Sequence, residues 1–123
     1  MKQVGSSQKN FDLDLEYGEA GESKLLSILN GAKKVEVKTD RMAHLTGNVA
    51  IEFRCSGRQS GISTTEADYW AFVLMDGKVI IMLETDRLKK IARKNYRLGK
   101  VACGGDGNNS EMVLVRINEL FII

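Results

Sequence analysis

Two acidic residues on predicted strands carry the strongest chemical signal in this sequence. Asp40 ends segment 34–40 and Glu52 lies in segment 48–55, and in both segments apolar and polar residues alternate. Alternation of this kind predicts strands with one apolar and one polar face, so both carboxylates are expected to project from the polar side of a sheet. Mg²⁺ binds through one or two protein carboxylates together with water and phosphate. The pair therefore predicts a Mg²⁺ or Mn²⁺ site, with ordinary solvent-exposed strand residues as the alternative.

Two cations share the predicted polar faces with these acids. Lys38 lies two residues before Asp40, and Arg54 lies two residues after Glu52, so alternation directs each cation to the same side as its acid. A cation beside metal-bound water can orient the attacking oxygen and offset the charge of a phosphate under attack. The spacing therefore favours phosphodiester hydrolysis. Cross-strand charge pairs, worth at most about 1 kcal/mol each, are the structural alternative.

Length and composition limit the classes of protein to which the chain can belong. Its 123 residues, 43% of them hydrophobic, predict a single domain over 1–123 with one modest core. No apolar run reaches the roughly 18 residues of a membrane span, and the N-terminus lacks a secretory signal, so a cytoplasmic protein without membrane contact is expected. Two cysteines without a CxxC pair and one histidine exclude a Cys/His zinc site within one chain. Any metal must then be held by carboxylates.

The distribution of charge says more than the formal net charge of +2. Segment 87–100 carries seven cations and no acid: Arg87, Lys89, Lys90, Arg93, Lys94, Arg97 and Lys100. Such a segment is typical of an element that faces nucleic-acid phosphates. A solvated helix face is the alternative, because charged helix faces are common in soluble domains.

Periodicity and turn residues predict seven elements in the order helix, strand, strand, strand, strand, helix, strand. In chain order they cover residues 22–31, 34–40, 48–55, 69–75, 78–83, 86–97 and 111–117. We expect the first two strands to form an antiparallel hairpin, and Asp76-Gly77 to turn a second hairpin. The polar loop 56–66 is long enough to indicate a functional role. Thr85 is expected to cap the second helix, and residues 11–16 alternate like a short strand or an extended lead-in.

The element order and the two acids resemble the PD-(D/E)xK nuclease superfamily, including its small phage and Holliday-junction-resolvase-like members. That superfamily has an acid on the first strand of its core and an acid-x-lysine on the second, which are matched here by Asp40 and by Glu52-Phe53-Arg54. The resemblance implies an α/β (α+β) restriction-endonuclease-like core, with a central mixed sheet of four to five strands flanked by helices. It also implies a Mg²⁺- or Mn²⁺-dependent DNA endonuclease, with branched or junction DNA as one expected substrate class, in a bacterial cell or phage-infected host.

The resemblance further implies roles for individual residues. The implied metal ligands are Glu22 on the first helix, Asp40, Glu52 and the Phe53 carbonyl. Arg54 stands where the motif has lysine and stays protonated, so Lys38 is the preferred replacement for that lysine. An alternative register reads Glu36-Val37-Lys38 as the acid-x-lysine, with Asp12 or Asp14 upstream, but it places the first helix between the two acidic strands.

Cations outside the motif are expected to hold the DNA backbone through contacts that do not depend on sequence. They are Arg58, Arg87, Lys90, Arg93, Lys94 and Arg97. Cutting two strands would need two sites, so a homodimer is expected, with the apolar C-terminus 120–123 as its interface.

Two other functions remain open from the sequence. A catalytically inactive nucleic-acid-binding or assembly subunit could keep the same fold, and Arg54 favours this reading. A small-molecule enzyme on an unrelated mixed sheet would need an apolar pocket, which the polar strand faces do not suggest.

Overall fold

The computed structural model describes residues 4–122, and the chain forms two compact units, Met1–Lys33 and Lys34–Ile123. The first unit consists of helix α1 (Val4–Leu29), which is 26 residues long. It includes residues 11–16, so the prediction of a strand or extended lead-in there is wrong. Only Val4 and Ile28 are β-branched in the whole helix, and the leucines and glutamates between them are good helix formers. The predicted stop at Asn30-Gly31 is confirmed, with Gly31 at a φ of 85°.

The second unit contains seven strands and two helices. In chain order they are β1 (Val35–Thr39), α2 (Ala43–Thr46), β2 (Asn48–Cys55), β3 (Arg58–Gln59), β4 (Tyr69–Leu74), β5 (Val79–Glu84), α3 (Thr85–Arg97), β6 (Val101–Gly104) and β7 (Ser110–Arg116). Single 3-10 turns cover Gly61–Ser63, Met75–Gly77, Asp106–Asn108 and Ile117–Phe121. The α+β class and the five predicted strands are confirmed. The short strands β3 and β6 lacked a sequence signal because neither is long enough to show alternation.

The strands form two sheets and not one. β1, β4 and β5 form a mixed sheet in that order, and β3, β2, β7 and β6 form an antiparallel sheet. β1 pairs in parallel with β4, so the predicted hairpin between β1 and β2 is wrong. The connection between them folds as the short helix α2 instead of a tight turn, which releases β1 from its neighbour in sequence. The hairpin of β4 and β5 is confirmed, and its turn places Asp76 at a φ of 56°.

The core of the second unit lies between the two sheets and helix α3. Its largest fully buried side chains include Trp70 and Phe72 of β4, Ile51 of β2 and Leu88 of α3. Burial of a side chain of this size stabilises the fold by about 1.5–3 kcal/mol. On α3 the buried side chains of Leu88, Ala92 and Asn95 follow at intervals of three and four residues, which is the helical period expected for residues 86–97. Thr85 is the first residue of that helix and makes no capping bond, so its predicted role as the N-cap is wrong.

The charged residues of β1 lie on the side of the sheet that also carries core residues. Lys38 is in register with Phe72, and Glu36 is in register with Trp70, whereas Val37 on the opposite side is 57% exposed. The polar face of β1 thus lies on the same side of its sheet as Trp70 and Phe72, although the side chains of Lys38 and Glu36 are still 42% and 41% exposed. Alternation identifies the two sides of a strand but not which of them the rest of the fold covers.

The C-terminal segment is partly built into the core. Leu120 is 4% exposed and packs in the core, so it cannot belong to the expected dimer interface, whereas Phe121 and Ile122 are exposed. Ile123 lies outside the described residues, and the homodimer stays a prediction. Across the described part of the chain, no helix has the length and apolar character that a membrane crossing requires.

Candidate functional site

The Asp40 carboxylate lies at the end of β1 and is held by backbone N–H groups. Met42 and Ala43 both donate to Oδ1 at 2.9 Å, and Ala50 of β2 donates to Oδ2 at 3.4 Å. The side chain thus holds the first turn of α2 and joins the end of one sheet to β2 of the other. A carboxylate has about four acceptor positions, so three bonds orient Asp40 and leave one position free.

Glu52 lies two residues beyond Ala50 on β2, which is about 7 Å along a strand. Its Oε1 accepts a hydrogen bond from the Ser110 hydroxyl at 2.7 Å, which fixes the carboxylate over the β2–β7 ladder. The structure therefore brings Asp40 against the strand that carries Glu52, although the two acids do not project from one hairpin as predicted.

A β-bulge at Phe53 separates Glu52 from Arg54. Glu52 pairs with Met112 and Arg54 pairs with the next residue of β7, Glu111, so one residue of β2 has no partner. Paired residues share a face and neighbouring residues do not, so Arg54 lies on the opposite face from Glu52. The prediction that Arg54 accompanies Glu52 is wrong for this reason. Arg54 instead forms an ion pair with Glu111 at 3.3 Å.

Two other groups predicted for the metal site, the Phe53 carbonyl and the Lys38 ammonium, already have partners within the protein. The Phe53 carbonyl accepts hydrogen bonds from the backbone N–H of Ser60 at 3.1 Å and from the Ser63 hydroxyl at 2.9 Å. Both of its lone pairs then accept hydrogen bonds, so its expected role as a metal ligand stays a prediction that requires one of these bonds to be lost. Lys38 forms an ion pair with Glu36 at 3.4 Å, and its ammonium lies 5.7 Å from the centre of the Trp70 ring.

The remaining expected ligand, Glu22, is an exposed residue of helix α1 in the first unit, whereas Asp40 and Glu52 belong to the second. Over residues 4–122, no group of three or more His, Cys, Asp or Glu side chains is arranged to hold a metal ion. Asp40 and Glu52 are therefore a pair of acids, without a third metal-ligating side chain among the described residues of their unit.

The basic helix α3 presents its cations on two different sides. Lys89, Arg93 and Arg97 follow at intervals of four residues and line one cavity. Arg87, Lys90 and Lys94 line another of about 260 Å³, together with the acidic residue Glu119. The cations of α3 therefore divide between two cavities on different sides of the helix.

Arg87 has a structural role that the sequence did not predict. Its guanidinium donates to the carbonyl oxygens of Leu120, at 3.2 Å, and of Ile122. These bonds attach the C-terminal turn to α3, and the expectation that Arg87 holds DNA stays a prediction. Arg58 is exposed on β3 and does not line either cavity, so its expected role stays a prediction.

The cavity beside Lys89, Arg93 and Arg97 has a volume of about 390 Å³, and we call it the cationic cleft. Strand β2, the turn Gly61–Ser63 and helix α3 form its walls. Its lining residues are Phe53, Arg54, Gln59, Ile62, Ser63, Lys89, Ala92, Arg93, Tyr96, Arg97 and Val113. The bulge at Phe53 contributes directly, because it directs Arg54 to the side of β2 that faces α3.

The charge of the cleft is strongly positive. Arg54 is offset by Glu111, but among the described residues no ion pair or hydrogen bond engages the side chains of Lys89, Arg93 or Arg97. Three cations on one side of a helix, about 6 Å apart at each step, create a field that attracts anions with regularly spaced charges.

Two cleft residues were missed by the sequence analysis. Lys89 was part of the basic segment, but its four-residue spacing from Arg93 and Arg97 was the signal that separated it from Lys90. The helical period left open whether Asn95 or Tyr96 belongs to the buried face; Asn95 is buried, and Tyr96 is 50% exposed and packs against Phe53 with ring centres 5.3 Å apart. No local pattern indicates that a residue of β2 will meet α3 at this point.

Comparison with known proteins adds no assignment: no protein-family model, no curated protein and no solved structure matches this chain.

Proposed function

We propose that this protein binds the phosphate backbone of nucleic acid in the cationic cleft. The observation that carries the proposal is the row of Lys89, Arg93 and Arg97, four residues apart along one wall of a concave site and without an ion-pair partner within residues 4–122. Phosphate contacts of this kind supply most of the affinity of sequence-independent binding. The proposal corresponds to the binding-subunit alternative, and it needs no residue of the acidic pair.

Equal charge removal on the two sides of α3 tests the proposal. The cleft variant carries Arg93→Gln and Arg97→Gln, and the matched control carries Lys90→Gln and Lys94→Gln, with the same spacing and the same change in net charge. Affinity for labelled DNA, as single strand and as duplex, is measured by fluorescence anisotropy between low and moderate salt.

Loss of two phosphate contacts lowers the slope of log affinity against log salt by about 1.4 for a single strand and about 1.8 for a duplex. We expect this change in the cleft variant and almost none in the control variant. Equal slopes for the two variants would show that charge alone, and not the cleft, attracts the DNA.

Metal-dependent cleavage of the bound nucleic acid is a second candidate function, which corresponds to the resemblance to PD-(D/E)xK nucleases. One observation favours it: three backbone N–H groups orient the Asp40 carboxylate, and one of them belongs to Ala50, which lies two residues before Glu52 on β2. Metal-binding carboxylates are commonly oriented by such secondary hydrogen bonds.

Two carboxylates are as many protein ligands as Mg²⁺ or Mn²⁺ usually needs at a phosphate-binding site. Asp40 keeps one acceptor position and Glu52 uses Oε1 only, and two carboxylates are enough where phosphate and water complete the ligands. Asp40 and Glu52 would hold Mg²⁺ or Mn²⁺, which would supply Lewis-acid activation of a phosphate and of water. The backbone N–H groups fix the position of the Asp40 carboxylate, and the Ser110 hydroxyl fixes that of Glu52.

Cleavage and metal binding are tested on the same pair of variants. Glu52→Gln removes the acid charge at the pair, and Glu66→Gln removes it from an exposed loop residue as the control. The candidate function requires that Mn²⁺ binding, followed by paramagnetic resonance without DNA, and DNA cutting both be lost in Glu52→Gln alone. Cutting that persists in Glu52→Gln would refute it and leave the binding function unaffected.

A further inference from the structure

The aromatic wall of the cationic cleft narrows the class of nucleic acid that fits. We propose that the cleft binds single-stranded nucleic acid, with one unpaired base stacked on the Tyr96 ring. This inference rests on the proposed phosphate-binding function and adds a base-binding residue to it.

Tyr96 combines exposure with a fixed orientation. Tyr96 is 50% exposed and lines the cleft, while the Phe53 ring packs against it edge to face, with ring centres 5.3 Å apart and an interplanar angle of 76°. The Arg54 guanidinium lies 5.6 Å from the centre of the Phe53 ring and supports that ring from β2. A ring held in this way loses little conformational entropy when a base stacks on it, and stacking is favourable with any base.

The cations lie where the phosphates of a stacked strand would need them. Arg93 lies three residues before Tyr96 on α3, which is the spacing of side chains on one helix face, and Arg97 follows Tyr96; all three residues line the cleft. One nucleotide can therefore place its base on Tyr96 and its phosphate against an arginine. Aromatic platforms beside cationic grooves are the usual chemistry of single-strand binding.

The shape of the site excludes the common mode of duplex recognition. A helix that reads the major groove must protrude so that its side chains reach the base edges. Here the cationic side of α3 forms one wall of a concavity of about 390 Å³, opposite Phe53 and Ile62. Bases stacked inside a duplex cannot reach Tyr96, so a duplex would gain phosphate contacts only.

Three ligands of equal length separate stacking from charge. They are a labelled DNA single strand of about 20 nucleotides, its duplex, and an abasic deoxyribose-phosphate strand. With the unmodified protein, we expect the single strand to bind about 5- to 150-fold more tightly than the abasic strand, and more tightly than the duplex. Equal affinity for the single strand and the abasic strand would overturn the inference, whatever the variants do.

Variants of Tyr96 then identify the ring that stacks. Tyr96→Leu keeps an apolar contact with Phe53 but removes the ring, so affinity for the single strand is expected to fall about 5- to 150-fold while duplex affinity stays unchanged. Tyr96→Phe keeps the ring and is expected to retain single-strand affinity. Equal losses for single strand and duplex in Tyr96→Leu would overturn the assignment of Tyr96.

Failure of this inference is distinguishable from failure of the proposed function. If the duplex binds as tightly as the single strand and the cleft variant loses affinity for both, the phosphate-binding function stands and the stacking inference fails. If the cleft variant and its control bind every ligand alike, the proposed function itself fails.

Discussion

Gly61 occupies a position that no other residue can take without moving β2. It starts the turn Gly61–Ser63 with a φ of 53°, and an added Cβ would overlap the carbonyl oxygen of Glu52. That turn also supplies Ile62 and Ser63 to the cationic cleft. Gly61→Ala therefore tests both the fold and the wall of the site.

The cost of this substitution has two parts. A residue with a side chain in the left-handed region costs about 1–2 kcal/mol. The overlap with a backbone oxygen cannot be relieved by a rotamer change, and overpacking of this type costs about 1–3 kcal/mol more. We therefore expect Gly61→Ala to lower the free energy of unfolding by about 2–5 kcal/mol.

Gly57→Ala isolates the first part of the cost. Gly57 has a φ of 78°, but a Cβ there would have no heavy atom within 4 Å. This control should lose only the conformational part, about 1–2 kcal/mol. The difference between the two variants, about 1–3 kcal/mol, then measures the close approach of Gly61 to β2.

Urea denaturation followed by tryptophan fluorescence is a direct assay, because Trp70 is the only tryptophan and is fully buried. Anisotropy titration of the folded Gly61→Ala protein should also show weaker binding of single-stranded DNA, because the cleft wall has moved. Equal stability of Gly61→Ala and Gly57→Ala would refute the close contact and the position of the turn derived from it.

Three further predictions concern polar contacts of the second unit. Asp40→Ala removes three hydrogen bonds and is expected to lower the free energy of unfolding by about 2 kcal/mol. Asp40→Asn keeps the Oδ1 acceptor and should cost less than about 1 kcal/mol. Urea denaturation measures both changes. A double-mutant cycle of Arg54→Ala and Glu111→Ala should give a coupling of about 0.3–1 kcal/mol that falls with salt, because both side chains are more than a third exposed, and a larger coupling would contradict this exposure. Asn95→Asp places a second carboxylate where the buried Asn95 Nδ2 donates to Glu119 at 2.7 Å, and it should lower the free energy of unfolding at pH 7 by about 3 kcal/mol. Thermal denaturation measures this change, and an unchanged midpoint would show that the contact is absent.

Local patterns predicted the elements of the second unit well, because their signals lie within each element. The bounds of β2 agree with the alternation of residues 48–55, and the buried stripe of α3 follows its helical period. The partner of β1 was wrong because the choice between β2 and β4 depends on contacts far apart in sequence. Alternation sets the face of a residue within its own strand but carries no information about the neighbouring strand.

The same limit explains what the sequence analysis missed in the site. Arg93 and Arg97 were predicted to bind nucleic acid, and the structure brings both to the cleft. Phe53 was expected to contribute its carbonyl, yet it contributes its ring, which meets Tyr96. Its carbonyl accepts hydrogen bonds from Ser60 and Ser63, seven and ten residues later in the chain, and only the folded structure brings that segment to β2.

The bulge at Phe53 separates the residues proposed for nucleic-acid binding from those proposed for metal binding. In a regular strand Glu52 and Arg54 would share a face, as the resemblance to PD-(D/E)xK nucleases requires of an acid and its cation. The extra residue turns Arg54 toward α3, so the cation joins the cleft while Glu52 stays with Ser110 on the other face. Acidic and cationic groups are thereby separated onto opposite faces of one strand. Substitutions at Glu52 should therefore leave nucleic-acid binding intact, and substitutions at Arg93 and Arg97 should leave Mn²⁺ binding intact, so the binding and cleavage functions can be tested independently.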